Sequence, residues 1–156
     1  MATSSNAAYE GHKRRGFDCL CGNMRMAARA ITTLYDSHLA NADLTSAELS
    51  VLWCVVAAQP VSMQAIAEFL AMEKSTVTRN VAHLRARGLV RVGAADGDAR
   101  VKQVSVTRSG QDAFVRALPH WKAAQKAAAR ALGESRFRSL VSGSLQLARA
   151  PKLATA

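Results

Sequence analysis

One stretch, residues 62–108, constrains the fold more than any other: two short helical patterns joined by a tight turn run straight into a pair of β-branched segments. Residues 62–70 open on Ser62, a residue type that caps helix N-termini, and carry apolar side chains at helical spacing. After Ala71 and Met72, residues 73–87 place Val77, Val81 and Leu84 at intervals of four and three, and Gly88 follows the last turn, where a left-handed cap favours glycine. One face of this second helix is therefore directed inward. Its other face carries Lys74, Ser75, Thr76, Thr78, Arg79, Asn80, His83 and Arg87. Short hydrogen-bonding groups mixed with fixed positive charge suit phosphates and base edges. Residues 89–92 and 101–106 then alternate with period two around an Asp-Gly-Asp turn at 96–98, which predicts a hairpin with a long tip.

Charge narrows the partner. Lys plus Arg number 21 against 11 Asp plus Glu, a net charge of +10, and nucleic acid is the first candidate for such a chain. The reading stretch is basic in its own right, with eight cations (74, 79, 85, 87, 91, 100, 102, 108) against four acids (68, 73, 96, 98). At 156 residues the chain suits one domain. No run approaches the roughly 20 apolar residues of a membrane span, and the N-terminus lacks an apolar signal core. A cytoplasmic protein with no membrane partner is expected. Cys19, Cys21 and Cys54 are too few and too odd in number for a disulfide scaffold, so reduced thiols are the default. His12, His38, His83 and His120 are scattered without metal spacing, and no Gly-rich phosphate loop is present. No metal, no cofactor and no enzymatic activity are expected.

The rest of the chain reads as scaffold. Residues 1–16 are expected to be a flexible basic tail, with Lys13, Arg14 and Arg15 a solvated helix start. From Phe17 to Leu39 one apolar stripe, including Leu20, Cys21, Met24, Ile31 and Tyr35, predicts a long amphipathic helix with that stripe buried. Thr45 and Glu48 form a capping-box pattern at the head of an apolar helix that ends at Gln59-Pro60. Thr107-Arg108-Ser109-Gly110 caps a helix to about residue 130 with a kink expected near Pro119. A last helix carries Phe137, Leu140, Val141, Leu145 and Leu147 before a second flexible tail at 149–156. The terminal helices present more apolar surface than a small helix-turn-helix body can cover, so a homodimer through residues 17–40 and 110–148 is expected. Ala123, Ala124, Ala127, Ala128 and Ala131 would permit close helix approach there, or simply reflect helix propensity.

Over roughly residues 17–148 this order of elements resembles the MarR family of bacterial transcription regulators. The likeness rests on Asp98-Ala99-Arg100 leading into Val104-Ser105-Val106-Thr107-Arg108-Ser109-Gly110, similar to the family's wing signature, and on Leu84-Arg85-Ala86-Arg87-Gly88-Leu89-Val90, the join of recognition helix to wing. Pro119, Trp121 and Gln125 also follow a spacing common in such proteins. The resemblance implies a mainly α single domain with a small β-hairpin wing, a winged helix-turn-helix with its DNA-reading part at 62–108. It implies a homodimeric regulator of palindromic double-stranded DNA, expected to be a repressor released by a small ligand or by cysteine oxidation. Ser75, Thr76, Thr78, Arg79 and Asn80 would meet the major groove or its flanking phosphates, with Lys74, His83 and Lys102 alongside. Arg100 would reach the minor groove from the wing tip, where a narrow groove deepens the negative potential, with Asp98 either orienting it or serving simply as a turn former. Cys21 and Tyr35 match positions of the hydroperoxide-sensing branch, whose second tyrosine is replaced here by Arg25. Cys21 is thus either a sensor, its thiol activated by Arg25, or a small core residue. Met24, Trp53 and Trp121 are the candidate ligand pocket. Two other classes stay open: a thiol-dependent peroxidase using Cys21, and a sequence-independent architectural DNA binder.

Overall fold

The computed structural model describes residues 18–95 and 98–150, excepting the side chains of 95 and 98–100. The tail expected at 1–16, Phe17, most of the Asp-Gly-Asp turn and residues 151–156 lie outside them. The chain divides into two compact units, Met1–Leu34 and Tyr35–Ala156.

In the first unit the described residues form most of helix α1, Leu20–Leu39, which crosses into the second. Cys19 caps it: its carbonyl accepts the Asn23 N–H at 2.9 Å and its Sγ the Gly22 N–H at 3.5 Å. Burial of the apolar stripe is corrected by the structure. Leu20, Cys21 and Ile31 are exposed, while Leu34 and Tyr35 are half-buried and Leu39 is buried. A 3.6-residue period shows that one face is built for cover, but it does not say that the same chain supplies the cover.

The second unit holds the core. After a 3-10 turn at Ala40–Ala42, Asp43 adopts a left-handed conformation at φ 54°, and Thr45 begins helix α2, Ser46–Ala58. The capping box forms in full: the Thr45 hydroxyl accepts the Glu48 N–H at 3.2 Å, and the Glu48 carboxylate accepts the Thr45 N–H at 2.9 Å. Asp36 accepts the Ser46 N–H at 2.6 Å, so two carboxylates sit over the positive end of the helix dipole. A cis peptide links Gln59 to Pro60, and Val61–Ser62 forms strand β1. Ser62 caps α3, Met63–Leu70, by accepting the Ala65 N–H at 3.0 Å. Ala71, left-handed at φ 50°, turns the chain into α4, Lys74–Ala86.

Strands β2, Val90–Ala95, and β3, Asp98–Val106, make the expected hairpin. The sheet has a third strand, however, in the order β1-β3-β2, because Val61 pairs with Val104 on the free edge of β3. Gln59 extends that edge by accepting the Val106 N–H at 2.9 Å. Helix α5, Arg108–Leu132, runs through Pro119 as one helix. Val115, whose carbonyl loses its usual donor at the proline, is 62% exposed, so water can take the donor's place. Gly133, at φ 80°, separates α5 from α6, Glu134–Arg149. Leu39, Leu52, Val55, Ile66, Val77, Val81, Leu84 and Val104 are fully buried and lock α2, α3, α4 and the sheet together. Leu140, Val141, Leu145 and Leu147 of α6 are all more than 40% exposed. No single helix among the described residues is long and apolar enough to cross a membrane.

Candidate nucleic-acid interface

Burial of Val77, Val81 and Leu84 fixes how α4 is presented. At about 100° per residue the strip opposite them carries Ser75, Arg79, Ala82 and Ala86. Lys74, Thr78 and Arg85 flank it on one side, Thr76, Asn80 and His83 on the other. Lys74, Ser75, Thr78, Arg79 and His83 are exposed, while Thr76 and Asn80 are half-buried. Ala82, exposed in the middle of the strip, has no polar group to mark it in the sequence. A methyl at such a position suits thymine.

Local hydrogen bonds limit what two of these residues can offer a base. The Thr78 hydroxyl donates to the Lys74 carbonyl at 2.8 Å, which leaves its oxygen as an acceptor. The Asn80 amide donates to the Thr76 carbonyl at 3.1 Å and keeps one N–H and its oxygen. His83 Nδ1 stands 3.9 Å from Glu48 Oε1 while most of its ring is open. Arg87, which the sequence pattern groups with the outward face, is turned aside: its guanidinium pairs with Asp43 Oδ2 at 2.7 Å. Lys102 is exposed on β3 opposite Ala94. Asp98 and Arg100 lie on β3, where Asp98 pairs with Ala95 beside a register shift; their side chains lie outside the described residues.

The join between α4 and α5 explains the wing signature. Leu84 accepts the Leu89 N–H at 2.9 Å, and Gly88, left-handed at φ 68°, makes the turn. The Thr107 hydroxyl donates at 2.7 Å to the Gly88 carbonyl and accepts the Gly110 N–H at 3.0 Å. Gly110 then passes so close to the Leu89 carbonyl that a Cβ would lie 2.0 Å from its oxygen. Threonine and glycine three residues apart are thus both required by the contact.

The other predicted site residues fall in both units. Cys21 and Arg25 are exposed on α1, and Met24 is half-buried. Tyr35 is half-buried, and burial pushes its phenol up from the ordinary value. Cys54 is buried, with its thiol also pushed up by desolvation. Trp53 packs edge-on with Trp121 at 5.2 Å and with Phe114, a residue the sequence did not single out, at 5.1 Å. Trp53 remains 38% exposed. A separate groove of about 200 Å³ lies on the hairpin, between Pro60, Arg91, Gly93 and Gln103. Among the described residues no cluster of His, Cys, Asp and Glu is placed to hold a metal ion.

A helix-turn-helix packed on a three-stranded sheet, with a polar, basic second helix turned outward, defines a winged-helix DNA-binding module. The sequence profile of the MarR family matches residues 42–101. The transcriptional regulator MosR of Mycobacterium tuberculosis, solved in complex with DNA, is 33% identical, with 86% of this chain and 99% of that one covered and a TM-score of 0.73. A second MosR structure gives 30% identity over 85% and 97% of the two chains, with a TM-score of 0.72. BpsR of Bordetella bronchiseptica, whose DNA binding is regulated by 6-hydroxynicotinic acid, shares the fold at 19% identity, covering 85% and 95%, with a TM-score of 0.77. No curated protein matches the chain in sequence. The chain belongs to the MarR family of transcriptional regulators.

Proposed function

We propose that this regulator acts as a cytoplasmic homodimer that reads a palindromic operator and represses transcription. The observation that carries the reading is the outward strip of α4, on which Arg79 is exposed between Ser75 and Ala82 while Val77, Val81 and Leu84 hold the helix from behind. Arg79 supplies the guanine-type or phosphate contact, Ser75 and Thr78 offer acceptors, and Lys74, Thr76, Asn80, His83 and Lys102 meet flanking groups. Asp98 and Arg100 form the wing contact in the minor groove.

Residues 17–148 act as one functional domain, with residues 17–40 and 110–148 forming the dimer. The exposed leucines of α6 and the exposed stripe of α1 support this, since burial is worth about 25 cal/mol per Å². The signal is a small, largely apolar ligand held against Trp53, Trp121 and Phe114, or oxidation of the exposed Cys21 thiol; neither role requires turnover, and we assign no enzymatic activity.

The test is a gel shift on DNA flanking the gene, against random competitor, over a salt series. Specific binding should weaken steeply between about 50 and 200 mM salt. Equal affinity for competitor would leave only an architectural role, and salt-insensitive or absent binding would remove the DNA-binding reading.

A further inference from the structure

The cation that ends the reading helix is engaged on its own chain. Arg87 is the C-cap of α4, and its side chain is one-third exposed. One guanidinium nitrogen, Nη2, donates to both the carbonyl and the carboxylate of Asp43, the latter at 2.7 Å. The other, Nη1, stands 3.8 Å from Glu48 Oε2. Glu48 is the one buried charged residue of the described core, and the same oxygen closes the capping box on the Thr45 N–H and hydroxyl. Asp43 itself is left-handed, at φ 54°, and closes the 3-10 turn that precedes α2.

At the far end of α4, Glu73, its N-cap, makes no side-chain capping bond. The buried Val77, Val81 and Leu84 choose which face of α4 is outward, and polar ties to other elements gather at its C-terminal end. There Thr107 grips the carbonyls of Gly88 and Leu89 from α5, and Arg87 grips the head of α2.

We propose that Arg87 is a positioning residue for operator recognition: it contacts no DNA and holds the pitch of the reading helix by tying its C-terminal end to Asp43 and Glu48. This inference rests on α4 being the DNA-reading element, and it separates from a phosphate-contact role by the sign of one substitution. Removing the Asp43 charge with Asp43→Asn loosens the tie, so it should weaken specific binding even though it makes the protein more positive. If Arg87 instead contacted a phosphate, Asp43→Asn would release the guanidinium and strengthen binding.

The experiment uses the full chain, a duplex selected by the wild type from a randomised library, and a random duplex of equal length. Arg87→Gln and Asp43→Asn are compared with wild type by fluorescence anisotropy over a salt series, with thermal unfolding measured in parallel. The expected result is a loss of roughly 2- to 30-fold in affinity for the selected duplex in Arg87→Gln, and a smaller loss in Asp43→Asn. The slope of log Kd against log salt should be unchanged. Three results would overturn the proposal. The first is a salt slope in Arg87→Gln that is shallower by about 0.9, the value of one phosphate neutralised by a cation. The second is tighter binding by Asp43→Asn, and the third is lowered melting points with wild-type affinity for the selected duplex. Failure of the wild type to select any duplex would remove the DNA-reading assignment itself and is distinguishable from all three.

Discussion

Gly110→Ala is a one-carbon change whose cost can be worked from the contacts it would make. The added methyl would sit 2.0 Å from the Leu89 oxygen, 2.7 Å from a Val106 methyl and 2.9 Å from the Leu89 carbonyl carbon. Ordinary contact begins near 3.4 Å, so backbone on one side has to retreat by more than an ångström. The Leu89 oxygen cannot yield freely, because it accepts from the Thr107 N–H at 3.1 Å. Overpacking of this kind costs about 1–3 kcal/mol, and disturbance of the Thr107 cap adds about 1 kcal/mol. The better helix propensity of alanine returns at most about 1 kcal/mol. A net loss of about 1–4 kcal/mol is expected, or roughly 2–16 °C in the melting temperature of a domain this size. Thermal unfolding followed by circular dichroism at fixed protein concentration measures it. Operator affinity should fall as well, because Leu89 continues directly from the end of the reading helix. A variant that melts at or above the wild-type temperature would refute the reasoning, since propensity would then outweigh the contact.

Other outcomes follow from single sites. Ala71→Gly relieves a left-handed alanine at φ 50° and should stabilise the protein by about 0.5–1 kcal/mol in denaturant titrations; destabilisation would mean that the Ala71 methyl packs favourably. Arg79→Ala should weaken operator binding by about 1–3 kcal/mol while leaving the dimer intact by size-exclusion chromatography, and Arg100→Ala should act in the same direction more mildly. Loss of the dimer in either variant would contradict the division between reading head and scaffold. Cys54, whose thiol is raised by burial, should alkylate more slowly near neutral pH than exposed Cys19 and Cys21, with mass spectrometry as the readout. Because the folded state favours the protonated Cys54 thiol, its linked contribution to stability is present below the ordinary thiol pKa and is lost as pH rises through the folded value. A thiol that alkylates as fast as the exposed pair would show that it is not held in the core.

Much of the reading head was legible in the sequence because its determinants are local. Thr45 with Glu48, Ser62 before Met63, Thr107 before Gly110 and Gly88 after the last turn of α4 all act within a few residues, and each forms the bond or turn its spacing implies. What stayed hidden depends on distance along the chain. An extended Val61 before Ser62 can be read locally, but its pairing with Val104 lies far beyond any local pattern. Arg87 reads as another outward cation on a basic helix until Asp43, 44 residues away, is seen against it. The reason for Gly110 lies in the Leu89 carbonyl, not in a turn of its own. Periodicity also marked the stripe of α1 as a face to be covered, yet Leu20, Cys21 and Ile31 are exposed in the single chain. Asn80 illustrates a limit of composition: a base-reading residue type, it is half-buried and already donates to Thr76.

The central claim, that two outward α4 helices read one operator together, is tested most directly by selecting duplexes from a randomised library with the full-length protein. Paired reading requires enrichment of an inverted repeat whose half-site centres lie about 10 base pairs apart, one helical turn, with the enrichment abolished by Arg79→Ala. Enrichment of a single unpaired half-site, or of the same sequences by Arg79→Ala, would contradict it.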